Sequence, residues 1–148
     1  MQHASCFDPA TFDVSLSEAR SMDPQQRLLL EHGYAALLAA GLDKGALQGR
    51  RVGVDVGVYA TDFDELLRRG PAGRGVYAAT GAALSIASGR LSYLLGLQGP
   101  CASIDTACSS ALVALHYATL DMRPAAAIVT KWPSSPCLLY TSPSPRDS

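Results

Sequence analysis

The sequence predicts an α/β protein, because helical and strand-like segments alternate along it. Three observations carry that reading. Val52, Val54, Val56 and Val58 alternate with Gly53, Asp55 and Gly57, which is the two-residue period of a strand. A leucine-rich segment of helical spacing precedes this strand, starting at Asp23-Pro24. Residues 101–105 form a short strand-like run that passes through small residues into an apolar helical segment.

Taken in order, Asp23 is placed to accept from the first free amides of a helix, and Pro24 suits the first helical position. Gln26, three residues after Asp23, completes a set resembling a capping box. The helix is expected to run to Gly41. Its apolar residues Leu28, Leu29, Leu30, Tyr34, Leu37 and Leu38 cover more than one stripe, which predicts a largely buried helix. In the valine strand, the glycines on the second face predict close approach by another element. Residues 61–75 are polar and contain Gly70-Pro71-Ala72-Gly73, so they read as a loop with room for a short helix at 64–69.

Residues 82–95 fit one helix through Leu84, Ile86, Ala87, Leu91, Tyr93 and Leu94, with Gly96 as its stop. Gly99-Pro100 punctuates before the strand at 101–105. Thr106-Ala107-Cys108-Ser109-Ser110-Ala111 then leads into a helix at 112–118, expected to be buried. Strand, tight turn bearing a cysteine, apolar helix is the layout of a nucleophile elbow.

The totals exclude several functions. With 148 residues and 48% apolar content, the chain can form one domain with a core. Twelve basic residues nearly cancel thirteen acidic ones, so there is no electrostatic footprint for nucleic acid or an anionic membrane. No apolar run reaches the ~20 residues of a membrane span, and no secretory leader is legible at the start. A cytoplasmic protein is the expectation. Cys6, Cys101, Cys108 and Cys137 lack metal-ligand spacing, and His3, His32 and His116 are scattered, so no metal site and no disulfide framework are expected.

Three runs carry a family resemblance: MDPQQRLLLE at 22–31, SGRLSYLLGLQGP at 88–100 and DTACSSALVALH at 105–116. In this order they resemble the beta-ketoacyl synthases, and most closely the ketosynthase domains of modular type I polyketide synthases; fatty-acid synthesis is the neighbouring pathway. The resemblance spans about residues 7–119. It implies a thiolase-like fold of two similar halves, each a mostly parallel sheet with helices, of which this chain holds most of the first. It also implies an acyltransferase in which Cys108 takes an acyl group from the phosphopantetheine arm of an acyl carrier protein. Decarboxylative condensation with a malonyl-type unit then gives a beta-ketoacyl thioester. No resident cofactor is implied. A homodimer is, formed through the strand ahead of the nucleophile, which would make residues 101–105 interfacial.

The chemistry of the residues agrees with this role for Cys108. A cysteine at the first turn of a helix faces the positive end of the helix dipole, which favours its thiolate. Such a sulfur attacks a thioester carbonyl, and the backbone amide of Cys108 can help hold the resulting oxyanion. Thr106, Ala107, Ser109 and Ser110 are expected to support the elbow or line the path of a slender substrate arm. The competing reading of Cys108 is a buried structural thiol. Ser109 and Ser110 lack a histidine-acid pair to activate them. Cys101 is expected to be a packing residue, and His116, two helical turns past Cys108, a helix-packing histidine. Asp105 and Thr106 either orient the elbow or merely complete the turn. Arg90 either anchors the region near the dimer interface or is an ordinary salt-bridged arginine.

Departures from the family pattern set the expected boundaries. Residues 1–6 supply nothing like the family's opening strand, so the N-terminus reads as clipped, and the partial domain as 7–129. The two downstream histidines that serve condensation, in stretches resembling HGTGT and NxGH, have no counterpart, so the fragment itself is expected to fail at condensation. Asp55 stands where the family has an apolar residue, which predicts either an exposed strand face or a lesion. Residues 125–129 read as a further strand. Residues 130–148 are expected to be a disordered tail, since Cys137-Leu138-Leu139-Tyr140-Thr141-Ser142-Pro143-Ser144-Pro145-Arg146-Asp147 looks like a translated sequencing-library adaptor. Two other functions stay open: a non-catalytic remnant with an exposed half-core, and a cysteine thioester hydrolase, which would need a histidine near Cys108.

Overall fold

The computed structural model describes residues 7–59, 62–70, 75–121, 127–131 and 138–140. Its helices are α1 (Leu16–Ser21), α2 (Pro24–Ala39), α3 (Lys44–Leu47), α4 (Asp62–Arg69), α5 (Ala78–Ala82), α6 (Ile86–Leu94) and α7 (Ser110–Asp121). Its strands are β1 (Gly53–Gly57), β2 (Cys101–Ile104), β3 (Ala127–Lys131) and β4 (Leu138–Tyr140). Local chemistry sets several of the starts. Ser15 Oγ accepts from the Glu18 amide at α1, Asp23 Oδ1 from the Gln25 amide at α2, and Asp43 Oδ1 from the Ala46 amide at α3.

The sheet runs in the order β2-β1-β3-β4, with β1 parallel to both β2 and β3 and β4 antiparallel to β3. The chain therefore leaves β1 to make β2 on one side, then returns across β1 to make β3 on the other. Helix α7 makes that return and packs on β1, β2 and β3. All of β1 is buried. Val52, Val54, Val56 and Val58 join a core with Leu30 and Leu37 from α2, Leu91 from α6 and Leu95 at the C-cap of α6. The opposite face of β1 meets α7, and here the expected close approach is found: a Cβ on Gly57 would lie 2.7 Å from the Ala111 backbone.

Several expectations change. Residues 82–95 are not one helix but the end of α5 and all of α6, with Ala83 extended between them. The cause lies 54 to 57 residues upstream, where Gln26 Nε2 donates to the carbonyls of Thr80, Gly81 and Ala83 at 3.0–3.2 Å. Gln26 therefore does not close a capping box at Asp23. Gly81 sits so near α1 that a Cβ would fall 1.8 Å from the Ser21 carbonyl oxygen, and its own carbonyl accepts from the Asp23 amide.

Helix α2 buries Gln26, Leu28, Leu30, Gly33 and Leu37 and exposes His32, Ala35 and Leu38, so it is one-sided rather than largely buried. Asp55 is only 3% exposed, so its strand face is not open to water. Cys101 is exposed rather than packed, because β2 is the edge strand of the sheet. Arg90 is buried and ion-paired with Glu18, which ties α6 to α1. The strand expected at 125–129 is β3, and it reaches Lys131. Leu138–Tyr140, inside the span expected to be disordered, pairs with it, since the outer edge of β3 offers a row of unsatisfied backbone groups. Residues 1–6, and Cys137 with most of 130–148, lie outside the described residues.

Candidate active site

The site is built where β2 ends. In open sheets of parallel strands the crevice beyond the carboxyl ends is where ligands are held, and Cys108 lies four residues past Ile104 in that position. Beside it ends β1, whose following residue Val58 donates its amide to the Ile104 carbonyl at 3.0 Å. Ala107–Ser109 form a single 3-10 turn, and α7 begins at Ser110. Cys108 is thus neither in mid-helix nor sealed in the core; its thiol is free and the residue is exposed.

The turn is held by side chains that bond its backbone. Asp105 Oδ1 accepts from the Ala107 amide at 3.0 Å. The Thr106 amide donates to Ser110 Oγ at 2.8 Å, and Ser110 Oγ donates to the Ala107 carbonyl at 2.8 Å. Ser109 Oγ lies 2.8 Å from the Thr106 carbonyl oxygen and 2.9 Å from its hydroxyl. Between these anchors Ala107 adopts a φ of 55°, in the left-handed region that costs any residue with a Cβ. The structure therefore brings together Thr106, Ala107, Cys108, Ser109 and Ser110. Asp105 closes the turn through its contact with the Ala107 amide two residues on.

Behind the elbow, Ser103 of β2 is fastened to α6. The Ser88 amide donates to Ser103 Oγ at 3.2 Å, and the two hydroxyls are 3.0 Å apart. The sequence reading missed this tie; it expected a close approach at the strand glycines but did not name the start of α7 as what approaches Gly57. A glycine at the carboxyl end of a buried strand, followed later by a helix of small residues, is the signal for the second; nothing local signals the first.

Helix α7 is not buried all round, as its composition had suggested. Ser110, Ala114 and Ala118 are inward, spaced at four residues, while Leu112, His116 and Leu120 form the opposite row and are exposed. His116 is therefore no packing histidine; its ring meets Tyr117 edge-on at 6.4 Å. Eight residues along a helix amount to about 12 Å, which keeps His116 out of hydrogen-bond reach of Cys108. Among the described residues no three His, Cys, Asp or Glu side chains are grouped to hold a metal ion, and no helix is long and apolar enough to cross a membrane.

The profile of the beta-ketoacyl synthase N-terminal domain matches residues 1–129, which includes the six opening residues that the motifs alone left out. The chain is 49% identical over 123 residues to polyketide synthase GfsE of Streptomyces halstedii, covering 83% of this chain and 3% of that protein. It is likewise 49% identical over 123 residues to the pikromycin polyketide synthase component PikAII of Streptomyces venezuelae, with the same coverage. Among solved structures, the ketosynthase from module 6 of the bacillaene synthase from Bacillus subtilis 168 is similar at a TM-score of 0.69 and 32% identity. That likeness covers 86% of this chain and 22% of the ketosynthase. The mixed, mostly parallel sheet with its helices is thus part of a thiolase-like fold, and the chain spans only a small share of each relative.

Proposed function

Because the chain belongs to the beta-ketoacyl synthase family, we propose that it carries the acyl-accepting step of a polyketide-type condensing enzyme, with Cys108 as nucleophile. The observation that supports this most directly is the exposed cysteine at a strand–turn–helix junction beyond the carboxyl ends of two parallel strands. The thiolate of Cys108 attacks the carbonyl carbon of an acyl thioester on the phosphopantetheine arm of an acyl carrier protein. A carbon–sulfur bond forms, and the negative charge passes to the carbonyl oxygen, where the Cys108 backbone amide can receive it. Collapse expels the arm's thiolate, which takes up a proton, and leaves the acyl group on Cys108. Thr106, Ala107, Ser109 and Ser110 hold the elbow.

In the parent enzyme a malonyl-type unit then loses carbon dioxide, and its carbanion displaces Cys108 from the acyl group to give the beta-ketoacyl thioester. Dimerisation through β2 belongs to the same proposal. The test is to incubate the chain with an acyl thioester and locate the adduct by peptide mass spectrometry. Acylation at Cys108, abolished by Cys108→Ala, supports the assignment. Steady release of free acid would favour a thioester hydrolase, and no adduct at Cys108 would favour the non-catalytic remnant.

A further inference from the structure

We infer that Ser110 is a positioning residue for Cys108, its hydroxyl clamping the left-handed Ala107 peptide so that the thiol is presented at the open side of the elbow. This deepens the proposed acyl-accepting role and rests on it. Ala107 is the residue before the nucleophile, so its torsions set the direction of the Cys108 amide and side chain. At a φ of 55° it is one of only two described non-glycine residues in the left-handed region. Such a conformation persists only where its surroundings over-determine it.

Ser110 supplies that restraint from both sides. Its single proton goes to the Ala107 carbonyl, and its lone pair receives the Thr106 amide, so one hydroxyl brackets Ala107. Ser110 is 4% exposed, so its hydroxyl sits on the inner side of the turn, where both bonds are partly buried. It is also the first residue of α7, and the carbonyl carbon of Ser110 would lie 2.7 Å from a Cβ on Gly57, so the clamp is anchored to the buried strand β1. Ser109 does not do the same work: it is exposed and reaches only Thr106. Asp105 holds the Ala107 amide, while the carbonyl of Ala107 accepts from both the backbone amide and the hydroxyl of Ser110, the hydroxyl being the one side-chain donor described there.

Alkylation of the full chain by iodoacetamide tests this, with rates at Cys108 and Cys101 read separately by peptide mass spectrometry. Cys101 is also exposed but lies in β2, so it serves as the internal reference. Ser110→Ala is expected to lower the Cys108 rate constant about tenfold and leave that of Cys101 unchanged. Ser110→Thr, which keeps the hydroxyl, should retain the native ratio. In an Ala107→Gly background, where the left-handed backbone carries no Cβ penalty, Ser110→Ala should cost much less.

An unchanged ratio in Ser110→Ala, whatever happens to its unfolding midpoint, overturns the inference. So does an equal loss in both backgrounds, or a slow Ser110→Thr whose midpoint is native. A wild-type Cys108 no faster than Cys101 would instead sink the nucleophile assignment itself, which separates the two failures.

Discussion

Gly57 and Ala111 meet backbone to backbone: a Cβ on Gly57 would lie 2.7 Å from both the Cα and the nitrogen of Ala111. This contact sets α7 against the end of β1 and thereby fixes how far the elbow stands from the sheet. A methyl group at position 57 cannot be absorbed by a side-chain rotation, because its neighbours are main chain. Gly57→Ala should therefore push the start of α7 outward. Overpacking of this kind costs about 1–3 kcal/mol. Denaturant titration should show that loss, and Cys108 alkylation should slow by about tenfold or more. Gly89→Ala is the control, since nothing lies within 4 Å of a Cβ there; in a helix interior it should stabilise by about 1 kcal/mol. Similar behaviour of the two variants would refute the backbone contact.

The amide of Gln26 closes the bend between α5 and α6. Its two protons are shared among three carbonyls, those of Thr80, Gly81 and Ala83. Gln26→Ala removes a donor from all three carbonyls, of which those of Gly81 and Ala83 keep the amides of Asp23 and Ile86, so the loss should be about 1 kcal/mol or somewhat more. Gln26→Glu should be worse, because a carboxylate would face the same carbonyls. The check is equilibrium unfolding, together with amide exchange at residues 83–86. If Gln26→Glu proves as stable as the parent at neutral pH, the bend is held by something else.

What the sequence disclosed, and what it withheld, follows the range of the forces involved. The cap at Asp23, the valine strand and the cysteine elbow are written in neighbouring residues, and each was readable. The break at Ala83 was not, because its cause is a side chain 57 residues away. The half-exposed state of α7 was also hidden: apolar content shows what a helix can bury, not whether an element lies against it. Leu112 and Ala114 are both apolar, yet one is 70% exposed and the other 0%. At Asp55 one of the two expected readings, an open strand face, is ruled out, since the strand is covered on both sides and Asp55 is 3% exposed. Of the site itself, the place of Cys108 and its small neighbours between a strand and a helix was legible, whereas the bonds through Asp105 and Ser110 depend on how the turn folds back on itself.

Asp23 makes the stability depend on pH. Burial, the largest influence, raises its carboxyl above 3.8 despite the opposing amide of Gln25 and the charge of Arg27. The folded chain therefore binds this proton more readily than the unfolded one. The favourable contribution is complete below pH 3.8 and is lost as the pH rises through the folded-state value. Asp23→Asn keeps an acceptor for the Gln25 amide but cannot ionise. It should match or exceed the parent at neutral pH, with the gap closing as the pH falls toward 3.8. Unfolding curves at several pH values test the sign, and a gap that widened toward acid would contradict it.

The outward row of α7 predicts how the isolated chain should behave in solution. Leu112 is 70% exposed, Tyr117 51% and Leu120 60%, beside an exposed His116. Contiguous apolar surface of this kind promotes association when no partner element covers it. Lysine is a good helix former, so Leu112→Lys with Leu120→Lys should keep α7 while removing the apolar row. Light scattering across a concentration series should then show several-fold less association, with an unchanged Cys108 alkylation rate. The inward row predicts the contrast. Ala114 and Ala118 are sealed against the sheet, and a lysine at Ala114 should unfold the chain rather than solubilise it, because a charge there has no water and no partner. If the double lysine variant associates as strongly as the parent, the surface responsible lies elsewhere, and the exposed edge of β2 becomes the first place to look.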